Sequence, residues 1–241
     1  MIQKIKGLIP NTLTCCNLIS GCIATMFAFQ QLYSLALLWI IIGAVFDFLD
    51  GMSARALRVS CDIGKELDSL ADDITFGFAP SAMIYSLLTQ MIYPDYLIFA
   101  ERWLPFVAFV MAAFSAVRLA KFNLDSRQSL TFIGLPTPAN ALFWGALIAS
   151  FSTEMITMAW LVPVFVVGII LFSLFLIAEI PLFALKFKNY SWKNNKTKYI
   201  FLIGCVILLT VAGVKGISLC IAWYILLALA LFLQSKKNKI K

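Results

Sequence analysis

Four aspartates are spaced so that they could share one cation. Asp47 and Asp50 are three residues apart, and Asp68 and Asp72 are four residues apart. On a helix, residues at these spacings project from one face. Two such pairs facing each other would supply the hard oxygen ligands that suit Mg²⁺ or a similar ion, which in turn binds phosphate oxygens. The spacing therefore predicts a metal site that handles a phosphate-containing substrate.

Small and basic residues accompany the aspartates. Gly51, Ala54 and Gly64 are small enough to let a ligand or another backbone come close. Arg55 stands one turn beyond Asp50 and could hold a phosphate through paired N–H donors. The alternative interpretation is an acidic cytosolic loop that carries no chemistry.

The composition places this cluster in a membrane protein. The chain is 62% hydrophobic and 13% charged, whereas soluble domains are typically about half apolar and about a quarter charged. Carboxylates at membrane depth are costly and persist where they line a polar cavity, pair or bind cations. The absence of histidine excludes histidine acid–base chemistry and histidine-ligated zinc. The six cysteines are scattered without a CxxC pair, and we interpret them as small packing residues.

Apolar stretches long enough to cross a bilayer predict an all-α polytopic membrane protein with about eight transmembrane helices. They run over 12–31, 34–50, 70–93, 103–121, 138–153, 157–183, 199–214 and 216–234. A span needs about 20 residues, so the fifth and seventh are short. The alternative is six spans followed by one re-entrant hairpin. Because the first apolar run is longer than a signal peptide and several more follow, we do not expect a cleaved signal.

The basic residues predict the orientation of these spans. If both termini are cytosolic, all of the 19 Lys and Arg residues except Arg102 and Lys215 lie on the cytosolic side. This bias supports an even number of spans with the acidic stretch at the cytosolic face. The net charge of +7 is then juxtamembrane charge that attracts anionic lipid. A nucleic-acid partner is not expected, because no soluble basic domain carries the charge.

The start of the chain suggests a short helix lying along the membrane interface. Residues 1–9 alternate apolar and basic side chains, a pattern typical of interfacial segments. Pro10 suits the start of the following helix, and Asn11 or Thr12 could cap it.

The aspartate pattern resembles the signature of the CDP-alcohol phosphatidyltransferase family, Asp-x2-Asp-Gly-x2-Ala-Arg-x8-Gly-x3-Asp-x3-Asp. Every fixed position is matched between residues 47 and 72. Further motifs resemble the membrane-bound phosphatidylserine synthase branch of that family, and these are Asp-Ser-Leu-Ala-Asp, Phe-Gly-x-Ala-Pro, Arg-Leu-Ala-Lys-Phe-Asn and Gly-Leu-Pro-Thr-Pro-Ala. That branch usually has Ser at the place of Thr75 and Arg at the place of Lys121. The resemblance covers roughly residues 8–145.

The resemblance implies an enzyme that transfers the phosphatidyl group of CDP-diacylglycerol to L-serine and releases CMP. It implies that Mg²⁺ or Mn²⁺ is held by four carboxylates, namely Asp47, Asp50, Asp68 and Asp72. An alcohol must lose a proton as it attacks, and without histidine a carboxylate near the metal is the natural base. By resemblance that base is Asp72. The donor-binding residues would be Asn11, Thr14, Gly51, Ala54, Arg55, Cys61 and Gly64, although the family commonly has Ser or Thr at the place of Cys61.

The acceptor pocket is predicted from charge. Serine carries a carboxylate that needs a cation, and the nearest candidates are Arg118 and Lys121. Asn123 and Thr137 would be its neutral hydrogen-bond partners. The alternatives are a sister enzyme with another acceptor (glycerol 3-phosphate, an inositol phosphate, choline or phosphatidylglycerol) and, in a different class, an ion-coupled transporter that uses the aspartates as its ion site.

The resemblance also implies one integral-membrane domain over 1–241 that forms a homodimer. Its parts would be the interfacial helix 1–9, a six-helix catalytic core 10–183, a basic cytosolic loop 184–198, two additional spans over 199–234 and a basic tail 235–241.

Overall fold

The computed structural model describes residues 2–59, 62–124, 132–182 and 192–240 and is almost entirely helical. The chain is an all-α polytopic membrane protein, as predicted. Its helices are α1 (Ile2–Phe29), α2 (Tyr33–Leu57), α3 (Asp62–Asp72), α4 (Ala79–Leu88), α5 (Ala108–Leu124), α6 (Thr137–Ile156), α7 (Leu161–Ile177), α8 (Trp192–Ala212) and α9 (Lys215–Ile240). A π-helical segment, Asp73–Phe78, joins α3 to α4, and two 3₁₀ turns, Asp95–Ala100 and Leu104–Val107, precede α5.

The predicted helix start at Pro10 is wrong. Helix α1 begins at Ile2 and runs through Pro10 without a break. Thr12 does not cap a helix, because its hydroxyl donates to the Leu8 carbonyl 2.8 Å away, one turn earlier in the same helix. The segment expected as a separate interfacial helix is therefore the first part of α1.

The centre of the fold is α4, which is mostly apolar and is buried around nearly its whole circumference. All of its residues except Tyr85 are buried, as expected for a helix surrounded by other helices. Helix α1 packs against α2, α3, α4 and the π segment, and α6 packs against α2, α4 and α9. The largest fully buried side chains include Phe76, Met83 and Leu87. This packing fixes the position of the π segment that precedes α4.

Among the described residues, five helices are long and apolar enough to cross a membrane, and α7 is a shorter apolar helix. The last two candidates, Asn195–Ala212 and Lys215–Phe232, have 18 residues each. They pack against each other and are separated at Gly213, whose φ of +55° places it in the left-handed region. Two helices of this length favour two spans over a re-entrant hairpin, and the total of eight stays a prediction.

A short backbone pairing holds the start of α6 against the end of α7. Strand β1 (Phe132–Ile133) pairs antiparallel with β2 (Pro181–Leu182), with Phe132 opposite Leu182. Gly134 follows with a φ of +76°, and a Cβ there would lie 2.5 Å from the Leu176 carbonyl oxygen. Only glycine fits this conformation and this close approach. The first turn of α6 is therefore positioned by α7.

We expect Gly21→Ala to lower the midpoint of thermal unfolding in detergent. A Cβ at Gly21 would lie 2.8 Å from the Thr75 Cα and 2.9 Å from its backbone nitrogen, and backbone atoms cannot rotate away. Overpacking of this kind costs about 1–3 kcal/mol. Gly7→Ala is the matched control on the same helix, because a Cβ there meets no heavy atom within 4 Å. Equal midpoints for both variants would contradict the packing described here.

Candidate active site

Three of the predicted carboxylates converge at one point. Asp47 and Asp50 lie in the last turns of α2 and Asp68 lies on α3. Each offers an oxygen, and these oxygens all lie within 4.8 Å of one another. Asp50 is 6% exposed, and Asp68 Oδ1 is buried without a hydrogen-bond partner in the described part of the chain. The two helices therefore face each other as the spacing predicted.

The donor set of this cluster fits a metal ion. Burial and, to a lesser extent, the negative charge of the neighbouring Asp50 raise the pKa of Asp68 to about 6. The site therefore disfavours the charged form of this carboxylate. Like charges at this separation repel strongly in a partly desolvated site. A divalent cation would neutralise the repulsion and use the carboxylate oxygens as ligands. Asp47, Asp50 and Asp68 are thus the residues that could hold it.

Helix α1 supplies a hydrogen bond to the cluster. Thr14 is buried, and its hydroxyl lies 2.6 Å from Asp50 Oδ2, to which it donates. This bond fixes the orientation of the Asp50 carboxylate. Thr14 was predicted to contact the nucleotide, and it does line the adjoining cavity. The structure adds that Thr14 also holds a carboxylate of the cluster.

A cavity of about 270 Å³ opens beside the cluster and contains most of the predicted donor-binding residues. Its lining consists of Gly7, Pro10, Asn11, Thr14, Asp50, Gly51, Ala54, Val59, Gly64, Lys65 and Asp68. Arg55 is exposed at its edge, with a guanidinium nitrogen 3.5 Å from the place of a Cβ on Gly51. A Cβ on Gly64 would lie 3.0 Å from Asn11 Oδ1, so a side chain there would narrow the cavity. Cys61 lies outside the described residues.

Asp72 lies next to the three-carboxylate cluster and has a different partner. It is the last residue of α3 and interacts electrostatically with Asp47 and Asp68. Its Oδ1 accepts a hydrogen bond of 3.0 Å from the amide of Asn17. Coordination of a metal by Asp72 stays a prediction, because its oxygens are not among those that converge within 4.8 Å.

A second group of buried polar side chains lies on α5 and at the start of α6, both of which pack against the π segment. Its members are Ser115, Arg118, Thr137 and Asn140, none more than 7% exposed. Polar atoms on all four are buried without a hydrogen-bond partner in the part of the chain that the structure describes. Such groups are costly unless a ligand or water satisfies them. Each of these atoms is therefore available to a polar ligand or to water.

The structure separates the predicted acceptor residues into two pairs. Arg118 and Thr137 belong to the buried polar group. Lys121 is exposed. The side-chain amide of Asn123 donates to Ser69 Oγ at 2.7 Å, and the backbone carbonyl of Asn123 accepts from Lys65 Nζ at 3.0 Å. Lys121 and Asn123 are therefore placed at the surface side of α5.

Arg118 connects the second polar group to the first. Its guanidinium interacts electrostatically with Asp72 and with Tyr224 on α9. A positive charge buried beside Asp72 is suited to the carboxylate of a small ligand that reaches the aspartates. The polar group and the aspartates can therefore act on one substrate.

Sequence reasoning did not assign Asn17, Ser115, Asn140 or Tyr224 to the site. Asn17 and Asn140 are fully buried amides within mostly apolar helices. A polar residue in a membrane-spanning segment is a general sign of a functional position, and this signal could have found them. No local pattern could have found Tyr224, because it approaches Arg118 from a distant part of the chain.

Comparison with known proteins identifies the class. A model of the CDP-alcohol phosphatidyltransferase family matches residues 7–144, which is more than half of the chain. The chain therefore belongs to this family of transferases. The matched segment contains the three-carboxylate cluster, Asp72 and Arg118. The transporter alternative receives no support from this match.

Several relatives of this chain share one name, which describes an enzyme activity. The chain is 38% identical over 134 residues to a CDP-diacylglycerol–serine O-phosphatidyltransferase of Bacillus subtilis, an alignment covering 54% of this chain and 69% of the relative. Proteins of the same name from Mycobacterium bovis and Helicobacter pylori are 30% and 34% identical, over 76% and 56% of this chain. The chain spans 65% and 54% of the length of those two relatives.

We expect Mg²⁺ or Mn²⁺ to raise the midpoint of thermal unfolding more at pH 7.5 than at pH 5. Because the pKa of Asp68 is raised to about 6, this carboxylate is charged above that pH, where its charge destabilises the metal-free fold and attracts a cation. Below pH 6 a cation must displace the proton.

The matched variants for this measurement are Asp68→Asn and Glu66→Gln. Asp68→Asn should abolish the shift caused by the cation, whereas Glu66→Gln should retain it, because Glu66 is an exposed acid on the same helix. An equal shift at both pH values, or an undiminished shift in Asp68→Asn, would argue against a cation site at the cluster.

Proposed function

We propose that this protein transfers the phosphatidyl group of CDP-diacylglycerol to the hydroxyl of L-serine and releases CMP. The observation that carries the proposal is the convergence of Asp47, Asp50 and Asp68 beside a cavity of about 270 Å³. Family membership and the shared name of the relatives support the reaction and the acceptor.

The cavity beside the cluster suits the cytidine diphosphate part of the donor. Gly51 and Gly64 leave room where a side chain would intrude, and Arg55 at the edge can pair with a phosphate oxygen. Mg²⁺ or Mn²⁺ held by the three carboxylates would supply charge neutralisation at the pyrophosphate. The acyl chains would remain in the surrounding lipid.

Asp72 is the group best placed to take the proton of the attacking alcohol. It adjoins the cluster without belonging to the three convergent carboxylates, and the Asn17 amide fixes one of its oxygens. As the serine oxygen forms its bond to phosphorus, its proton passes to Asp72, and the bond from phosphorus to the CMP oxygen breaks. The electron pair of that bond leaves with CMP.

The buried polar group is suited to bind the acceptor. Arg118 can pair with the serine carboxylate, and its electrostatic interaction with Asp72 supports a role for both residues in binding one acceptor. Thr137, Ser115 and Asn140 can satisfy the remaining polar atoms of serine, because each has a buried unpartnered atom of its own. A choline acceptor would instead call for an aromatic cage.

The active site should face the cytosol, with both termini on that side. The distribution of Lys and Arg along the chain supports this orientation. We place the enzyme in a bacterial-type cytoplasmic membrane as a homodimer, the assembly that the family resemblance implies.

The first test is transfer from CDP-diacylglycerol to a panel of labelled acceptors by the purified protein with Mg²⁺ or Mn²⁺. Label from serine should enter lipid in a one-to-one ratio with CMP. CMP release with another acceptor, such as glycerol 3-phosphate, would keep the donor chemistry and overturn the acceptor assignment. No CMP with any acceptor would overturn the proposed function.

Arg118→Ala should raise the KM for serine at least tenfold and leave the KM for CDP-diacylglycerol within about twofold, because one charge-assisted pair is worth about 1.5–3 kcal/mol. Lys121→Ala is the matched control on the same helix. Its side chain is exposed, so both KM values should stay near those of the wild type. Unchanged serine kinetics in Arg118→Ala would exclude Arg118 from the acceptor pocket.

Asp72→Asn should lower kcat by about 10²–10⁴-fold, the usual contribution of a general base. The amide keeps the shape of the carboxylate and cannot take the proton. Stabilisation by a divalent cation should persist, because Asp47, Asp50 and Asp68 remain. Turnover of this variant near that of the wild type would remove Asp72 as the base.

A further inference from the structure

Asn17 is fully buried in α1. It forms hydrogen bonds to Asp72 and to Thr75, which lies three residues further along the chain. Its side-chain nitrogen donates to Asp72 Oδ1 at 3.0 Å. Its backbone carbonyl accepts a hydrogen bond of 2.9 Å from the Thr75 hydroxyl. Asn17 therefore contacts the last residue of α3 and the π segment that follows it.

The π segment is the reason that Thr75 can reach the backbone of α1. A π-helical turn is rare and is frequently found at functional sites. Here it begins at Asp73, directly after Asp72, and it presents Thr75 to α1 where Gly21 and Gly43 leave space. A Cβ on Gly43 would lie 2.5 Å from Thr75 Cγ2. The close packing thus fixes the position of Asp72 along the axis of α1.

The same packing orients the amide of Asn17. A Cβ on Gly43 would lie 2.9 Å from Asn17 Oδ1, so the amide oxygen faces Gly43 and the amide nitrogen faces the carboxylate. This assignment also agrees with chemistry, because an amide oxygen turned toward Asp72 would repel it. The amide oxygen has no hydrogen-bond partner among the described residues, so the hydrogen bond to Asp72 is the one that orients the amide.

We infer that Asn17 is a positioning residue of this transferase and that it acts through Asp72. This inference rests on the proposed function. The amide holds one carboxylate oxygen, and the second oxygen is left to receive the proton of the acceptor hydroxyl while the oxygen–phosphorus bond forms and CMP departs. A neutral donor suits this task, since it orients the base without adding a charge that would bind the carboxylate as an ion pair.

Asn17→Ala tests the inference, because a positioning role predicts a lower kcat with unchanged KM values. Misplacement of a catalytic group by about 1 Å can cost about 10²-fold in rate, so kcat should fall by at least tenfold. The KM values for serine and CDP-diacylglycerol should remain within about twofold, because the substitution leaves the contacts that bind the two substrates in place. The stabilisation by Mg²⁺ or Mn²⁺ should be unchanged, because Asn17 does not contact the three convergent carboxylates.

Thr25→Val is the matched control. Thr25 is a buried polar residue on the same helix, and its hydroxyl bonds only to the Gly21 carbonyl among the hydrogen bonds of the described residues. The variant should keep the kcat of the wild type. A general weakening of α1 would lower kcat in both variants together, and that result would overturn the positioning role.

Asn17→Leu keeps the test decisive if Asn17→Ala does not fold. The substitution keeps the approximate shape of the side chain and removes both the N–H donor and the buried unpartnered oxygen, so kcat should fall as far as in Asn17→Ala. Wild-type kcat in a folded Asn17 variant would overturn the inference. A wild-type protein that transfers nothing to serine would instead overturn the proposed function, so the two failures can be distinguished.

Discussion

The repulsion among buried carboxylates is the constraint on which the rest of this structure depends. Asp47, Asp50 and Asp68 are held within reach of one another although burial and mutual charge oppose it. The opposing force is the packing of α1 against α2 and α3, together with the hydrogen bond that Thr14 donates to Asp50. A site built in this way has a strong tendency to take up a cation, since the packing energy of three helices has already brought its ligands together.

Packing also explains why the candidate catalytic residues lie next to the buried core. The centre of the fold is the buried helix α4, and the π segment leads directly from Asp72 into it. Small residues on α1 and α2 let this segment approach closely, so that Thr75 bonds to the backbone of Asn17. The position of Asp72 is therefore determined by the core, and local flexibility contributes little to it.

The donor half of the site could be predicted from the sequence because it depends on spacing within two helices. The aspartates and the glycines that line the cavity follow from helical periodicity and the absence of a Cβ. The acceptor half could be predicted only in part. Arg118 and Lys121 are both basic and lie three residues apart, and local sequence does not distinguish them. Arg118 is buried in an α5 that packs against α7, α4 and the π segment, whereas Lys121, three residues further on, remains exposed. Helix α1 was predicted to start at Pro10 from capping preferences alone, whereas the helical backbone continues through Pro10.

The backbone pairing at Gly134 divides the site between two parts of the chain. The Gly134 N–H donates to the Ile180 carbonyl and the Leu135 N–H to the Phe175 carbonyl, so the start of α6 is anchored to a helix beyond the segment that the family shares. The aspartates rest on α2 and α3, and Thr137 and Asn140 rest on an α6 whose position α7 sets. Substitutions in α7 could thus shift Thr137 and Asn140, two of the proposed acceptor residues, while Asp47, Asp50 and Asp68 stay in place. In evolutionary terms, the anchor lets this part of the proposed acceptor pocket vary separately from the carboxylate cluster.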